Sequence, residues 1–180
     1  DDEILKPDYL QKSFEIYGKM KSSPNPFLEK EGGYSPLFFK EGNKGWFKEF
    51  VLVPKLMFRQ TWKIQNEWFD YYNFRTSRPH QFHFKDGQKI AQIQMYSRNS
   101  LFWPTKIFQE ILFDERFDFV YEDLEFTYRI HKAWYPIFIS SELEIYHMER
   151  NKTLLEDAWI GSEFQCHRKA RHRMRFVRKN

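Results

Sequence analysis

Three groups of residues in this chain have types and positions that suit chemistry. The first is Asp1-Asp2-Glu3. Clustered carboxylates are hard oxygen ligands suited to Mg²⁺ or Mn²⁺, and just ahead of a predicted helix they could hold such a metal on a diphosphate. The second is Tyr121-Glu122-Asp123, at a predicted helix start. Acids are favoured there by unpaired N–H groups and by the helix dipole. The third is His147, which follows Leu143 and Ile145 on one face of a predicted strand. It suits a metal ligand or a proton carrier. Each also has a plainer reading: a solvated acidic surface, an N-cap and a structural histidine.

These groups must be positioned by the elements around them. Leu10, Phe14 and Tyr17 recur at helical spacing and predict a helix over about Pro7–Lys19, with Pro7 in the first turn, where its missing N–H costs nothing. Residues 21–45 hold many Pro and Gly and read as a loop with one short strand. Residues 46–76 are crowded with aromatics and read as one or two helices broken near Pro54, followed by a polar loop over 77–89. Ile90–Tyr96 alternates as a strand does. Pro104 opens a short helix to about Ile111. Asp123–Ala133 reads as a helix with Leu124, Tyr128 and His131 along one side and a favourable Glu125–Arg129 pair. Tyr135–Ile139 and Leu143–His147 read as short strands, and about Leu154–Val177 as helix. No internal repeat is visible.

The chain has 180 residues, enough for one domain with a real core. Aromatics make up 20% of it, which argues against disorder. No apolar run approaches the length of a membrane span. The one cysteine, Cys166, excludes an internal disulfide and a cysteine-rich zinc site. There are 29 Lys and Arg against 25 Asp and Glu. Seven of those bases lie in residues 167–180, which hold no acid, so the rest of the chain is mildly acidic. Such a tail suits anionic lipid, nucleic acid or phosphorylated ligands. The chain opens without Met, so a preceding segment is expected.

In order along the chain, the acidic triplet precedes Pro7-Asp8-Tyr9-Leu10. Phe113-Asp114-Glu115-Arg116-Phe117 comes much later, then Tyr121-Glu122-Asp123-Leu124-Glu125-Phe126-Thr127-Tyr128-Arg129-Ile130. Lys132-Ala133-Trp134-Tyr135 and a strand ending Tyr146-His147 follow. This arrangement resembles the family 2 inverting glycosyltransferases of GT-A fold over residues 1–10 and about 97–179, most specifically from Phe113 to His147. The tail Ala170–Lys179 is similar to the basic helix that follows in many bacterial members. Residues 20–90 carry no part of the resemblance; that region often contacts the acceptor in the family.

The resemblance implies an α/β GT-A-like mixed sheet flanked by helices, lacking the nucleotide-binding half that precedes the acidic motif. Residues 1–150 would be the catalytic and acceptor part, and 151–180 a basic helical segment. It implies transfer of a sugar from a nucleotide-sugar donor to a saccharide or lipid-linked acceptor, with inversion, as in bacterial cell-envelope polysaccharide synthesis. Asp1, Asp2 and Glu3 would bind a divalent metal, Mg²⁺ or Mn²⁺, on the donor diphosphate, with His147 as a further ligand. Asp123 would be the base for the acceptor hydroxyl, and Glu122 its support. A cytoplasmic enzyme, peripheral at an anionic inner membrane face, follows, with no nucleic acid as partner. Two departures stand out: the third acid is Glu rather than Asp, and Trp134 stands where a capping Gly often follows Lys-Ala. The rivals are a basic, aromatic-rich nucleic-acid-binding module and a non-catalytic glycosyltransferase-like scaffold.

Overall fold

In the computed structural model, described over residues 3–22, 49–58, 64–65, 68–75, 78–96, 101–117, 121–147 and 163–180, the chain is mixed α/β. The elements are β1 (Glu3–Leu5), α1 (Tyr9–Ser22), β2 (Val51–Phe58), β3 (Ile64–Gln65), β4 (Trp68–Asn73) and β5 (Arg78–Gln81). After them come β6 (Ile90–Ile93), β7 (Met95–Tyr96), α2 (Thr105–Glu110), α3 (Glu122–Lys132), β8 (Ile137–His147) and α4 (Glu163–Lys179).

The main sheet is organised by β8. On one side β2 runs parallel to it, from Val51 opposite Ile137 to Phe58 opposite His147. On the other, β6 lies antiparallel beside its first half and β1 beside its last residues. Val51, Leu52, Val53, Ile137, Phe138 and Ile139 are fully buried. These runs are buried on both faces, so they read as continuous apolar stretches rather than alternations. Pro54 lies where the β2–β8 register slips, a position that needs no donor from the missing N–H.

A second, antiparallel sheet has the order β5-β4-β7. The run Ile90–Tyr96, expected as one strand, is shared between the two sheets: β6 joins the first, β7 the second, and Gln94 separates them. Among the described residues of 46–76 no helix forms; the elements there are β2, β3 and β4. Aromatic and β-branched residues fit a pleated, half-buried surface, and Pro54 marks a bulge rather than a helix break. Part of the predicted 77–89 loop is β5, and the two strands expected over 135–147 are one strand with an irregularity. The reading of 21–45 falls almost wholly outside the described residues.

The first helix forms where expected; of its predicted apolar positions Tyr17 packs inward, its ring stacked 4.0 Å from that of the buried Phe50, but the other two do not lead its buried face. Leu10 and Phe14 are 59% and 66% exposed, whereas Tyr9, Ser13, Ile16 and Met20 are buried. Ser13 is tolerated because its hydroxyl donates to the Tyr9 carbonyl at 2.7 Å. α4 docks through Phe176, with no exposure, and through the partly buried Val177. Met174 on the same helix is 55% exposed. Among the described residues no helix is long and apolar enough to cross a membrane.

The end of α3 closes without glycine. The Trp134 N–H donates to the His131 carbonyl at 3.0 Å, and the Tyr135 N–H to the Ile130 carbonyl at 3.2 Å. This is the paired bonding of a Schellman cap, with Trp134 in the left-handed position at φ 65°. A side chain there costs roughly 1–2 kcal/mol, part of which glycine returns through its greater freedom when unfolded. Trp134 is 77% exposed, so little packing offsets the strain. Trp134→Gly is expected to stabilise the protein by roughly 0.5–1 kcal/mol, raising Tm by about 2 °C. A thermal melt showing a lower Tm would refute the strain argument.

Candidate functional site

The start of α3 is set by tertiary contacts. Its first turn carries Glu122, Asp123 and Glu125. Tyr121 enters it at φ 70°, left-handed and without a side-chain cap. A bulky residue in that region marks local strain, which persists only where surrounding contacts over-determine it. Asp123 is thus the second residue of the helix, not its N-cap. The Thr127 hydroxyl fixes the turn against β7. It accepts from the Tyr96 N–H at 3.1 Å and lies 2.8 Å from the Asp123 carbonyl and 3.1 Å from the Tyr96 carbonyl, to either of which its one proton goes. A mid-helix threonine would otherwise be a weak choice; here it ties the candidate base to the sheet.

Glu122 and Asp123 are both half-buried. The Glu122 Oε2 is buried and has no hydrogen-bond partner among the described residues. Glu125 is the deepest of the described acids, its side chain 1% exposed, although it carried only a helix-pair role in the sequence. Its Oε1 accepts from Arg129 Nε at 2.6 Å and from Lys179 Nζ at 2.5 Å. Arg129 also donates to the Leu112 carbonyl at 2.5 Å. A buried carboxylate with two cationic partners is the arrangement that desolvation demands.

Lys179 reaches Asp114 as well, at 2.6 Å. Arg116 holds the same carboxylate at 2.6 and 2.8 Å. Hydrogen bonds from Arg116, then from Lys179, keep the Asp114 carboxyl well below the usual carboxylate range. Its folded-state pKa is depressed, so its contribution to stability is present above about pH 4 and is lost as pH falls below that. Asp114→Asn is expected to lower Tm at pH 7, with the gap to wild type narrowing as pH falls from about 4 towards 2. A gap that stays constant across that range in thermal melts would disprove the assignment.

The other predicted residues lie on the main sheet. Glu3 opens β1 and His147 ends β8, and the ladder sets them directly opposite each other. His147 is also the register partner of Phe58, the last residue of β2. The two ends of the expected metal motif, far apart in sequence, are therefore cross-strand neighbours. Asp1 and Asp2 lie outside the described residues. Among the described residues no group of three or more His, Cys, Asp or Glu could hold a metal ion.

Beside this edge lies a cluster that the sequence did not signal. Glu144 on β8 takes hydrogen bonds from Lys6 and, at 2.8 Å, from Lys55 on β2. Burial pushes the Glu144 carboxyl up, but the two lysines outweigh it and leave it below its ordinary value. The Lys6 Nζ also lies 5.5 Å from the centre of the Tyr146 ring. These charges tie the residue after β1, and the middle of β2, to β8. Such long-range partners have no local spacing that would betray them.

The structure thus brings Glu3 to His147 and sets Glu122 and Asp123 at the opening of α3; the first pair is carried by β1 and β8, the second by α3. Compared with protein-family models, with curated proteins and with solved structures, the chain matches none.

Proposed function

We propose that the chain is the catalytic and acceptor-side part of an inverting, metal-assisted glycosyltransferase of GT-A type. The observation that carries the reading is the β1–β8 register, which makes Glu3 and His147 neighbours. The motif order implied that these two positions would be close, and the ladder pairs their backbones. The start of α3 at Glu122 supports it as well, since it puts both acids of the second motif in one helical turn. Carboxylates with an imidazole suit Mn²⁺ or Mg²⁺. Asp1 and Asp2 would complete that set with Glu3 and His147.

In this reading the acceptor hydroxyl attacks the anomeric carbon as the bond to the diphosphate breaks, and Asp123 takes the hydroxyl proton. A bound divalent cation supplies charge neutralisation for the departing diphosphate. Glu122 supports the turn. The donor is a nucleotide sugar and the acceptor a saccharide or lipid-linked hydroxyl, reached from the cytoplasmic side of an anionic membrane that the exposed bases of α4 would face. Not all bases of α4 are free for such a surface, whether lipid or nucleic acid. Arg175 and Lys179 turn inward, to the Arg116 carbonyl and to Asp114 and Glu125.

The test is nucleotide release. The full-length protein, with its donor-binding half present, given MnCl₂ and a panel of UDP- and GDP-sugars, should liberate free nucleotide from at least one donor, and chelation should stop it. His147→Ala should raise the Mn²⁺ concentration for half-maximal release by roughly 10-fold or more. No release from any donor, with or without added saccharide or lipid-linked acceptors, would point to the non-catalytic scaffold instead.

A further inference from the structure

The C-terminal helix grips the first turn of α3 on both sides of the candidate base. The Phe176 ring is fully buried and lies 6.0 Å from that of Tyr121, the residue just before Glu122-Asp123. The same ring packs 4.6 Å from Tyr72 and 5.4 Å from Tyr128. Three residues further along α4, Lys179 bridges Glu125, just after the pair, and Asp114 on the preceding loop. Tyr121 meanwhile holds φ 70°, a conformation that costs a bulky residue roughly 1–2 kcal/mol. Something outside the helix must pay that cost, and the Phe176 contact is placed to do so.

We propose that α4 is a latch on the candidate catalytic turn, with Phe176 and Lys179 as positioning residues. Docked, it holds Tyr121 left-handed and fixes the direction in which Glu122 and Asp123 leave the backbone. Released, Tyr121 relaxes, the first turn frays and the base loses its aim. The connection to catalysis rests on the reading of Asp123 given above; the mechanical coupling does not.

The Glu125 amide is the natural reporter, since it donates to the Tyr121 carbonyl at 2.9 Å and closes the first turn. The Ala133 amide, bonded to the Arg129 carbonyl at 2.9 Å, reports the far end of the same helix. The Val51 amide, bonded to the Pro136 carbonyl at 3.0 Å, reports the main sheet. Residue-resolved hydrogen exchange on the full chain should show Glu125 exchanging at least about 10-fold faster in Phe176→Ala, with Ala133 and Val51 at wild-type rates. Lys179→Met should act in the same direction with a smaller loss of packing, and Lys179→Arg should restore protection. Uniform acceleration at all three amides, or none at Glu125 in Lys179→Met, would overturn the latch. With an active donor in hand, Lys179→Met should lower kcat while leaving the donor KM unchanged. If exchange is local but the wild type turns over no nucleotide sugar, the glycosyltransferase reading falls and the latch stands.

Discussion

Asp123→Asn in the full-length protein is expected to reduce nucleotide-sugar turnover by on the order of 10²-fold or more, with Tm and donor affinity nearly unchanged. The amide keeps the shape of the carboxylate and cannot accept a proton. The structure sharpens this contrast, because Asp123 contributes its backbone carbonyl, not its side chain, to the Thr127 contact that ties α3 to β7. That contact survives the substitution. A cap would behave differently: losing it costs about 1 kcal/mol and shows in the melt. Asp123 stands two residues too far into the helix for that role, since Tyr121 is the N-cap. Glu122→Gln should be milder than Asp123→Asn. Near-wild-type turnover in Asp123→Asn would remove Asp123 as base, and unfolding of that variant would show the side chain to be structural.

Phe126→Ala should have the opposite profile, a loss of about 3–5 kcal/mol in stability and a Tm lower by on the order of 10 °C. Phe126 lies on the same helix and is fully buried. Its ring stacks on Phe113 at 4.0 Å and meets Trp103 edge-on at 5.1 Å. Truncation opens a cavity lined by rings that cannot collapse without moving α3 off the sheet. Chemical denaturation checks it: a midpoint shift with unchanged slope gives the loss directly. A loss below about 1 kcal/mol would mean that the site repacks, and that α3 is held chiefly by Thr127 and the Glu125 ion pairs. Taken together, the two variants separate what the helix does from what holds it.

The parts of the fold that were legible in the sequence share one property, a local signal that agrees with the tertiary outcome. α3 is the clearest. Acids at its start, Arg129 and Lys132 near its end and an apolar stripe all point the same way. α1 was legible in extent but not in facing, because its buried stripe includes Ser13, whose polarity is hidden by a bond to its own backbone. The 46–76 region misled because its aromatics have no clean period and Pro54 imitates a helix break. At the site, Glu3 and His147 were singled out by motif order, and their meeting follows from a pairing that no local rule predicts. Lys179 was counted only as one base in a basic tail. Its partners, Asp114 and Glu125, lie more than fifty residues earlier in the chain.

The central place of β8 bears on how the chain is made. β1, β2 and β6 all take it as ladder partner, and it is the last of the described strands in the chain. During synthesis, β2 therefore emerges well before the strand it needs. At roughly 5–20 residues per second, the apolar run Val51–Leu52–Val53 waits several seconds for its mate. In that interval the edge of β2 that β8 will cover is open to any other nascent chain, although its other edge can already pair β3 and bridge to Phe102. A truncation before Ile137 leaves three strands with no hub. Because β1, β2 and β6 all pair with β8 over long sequence separations, the main sheet is completed only once β8 is made.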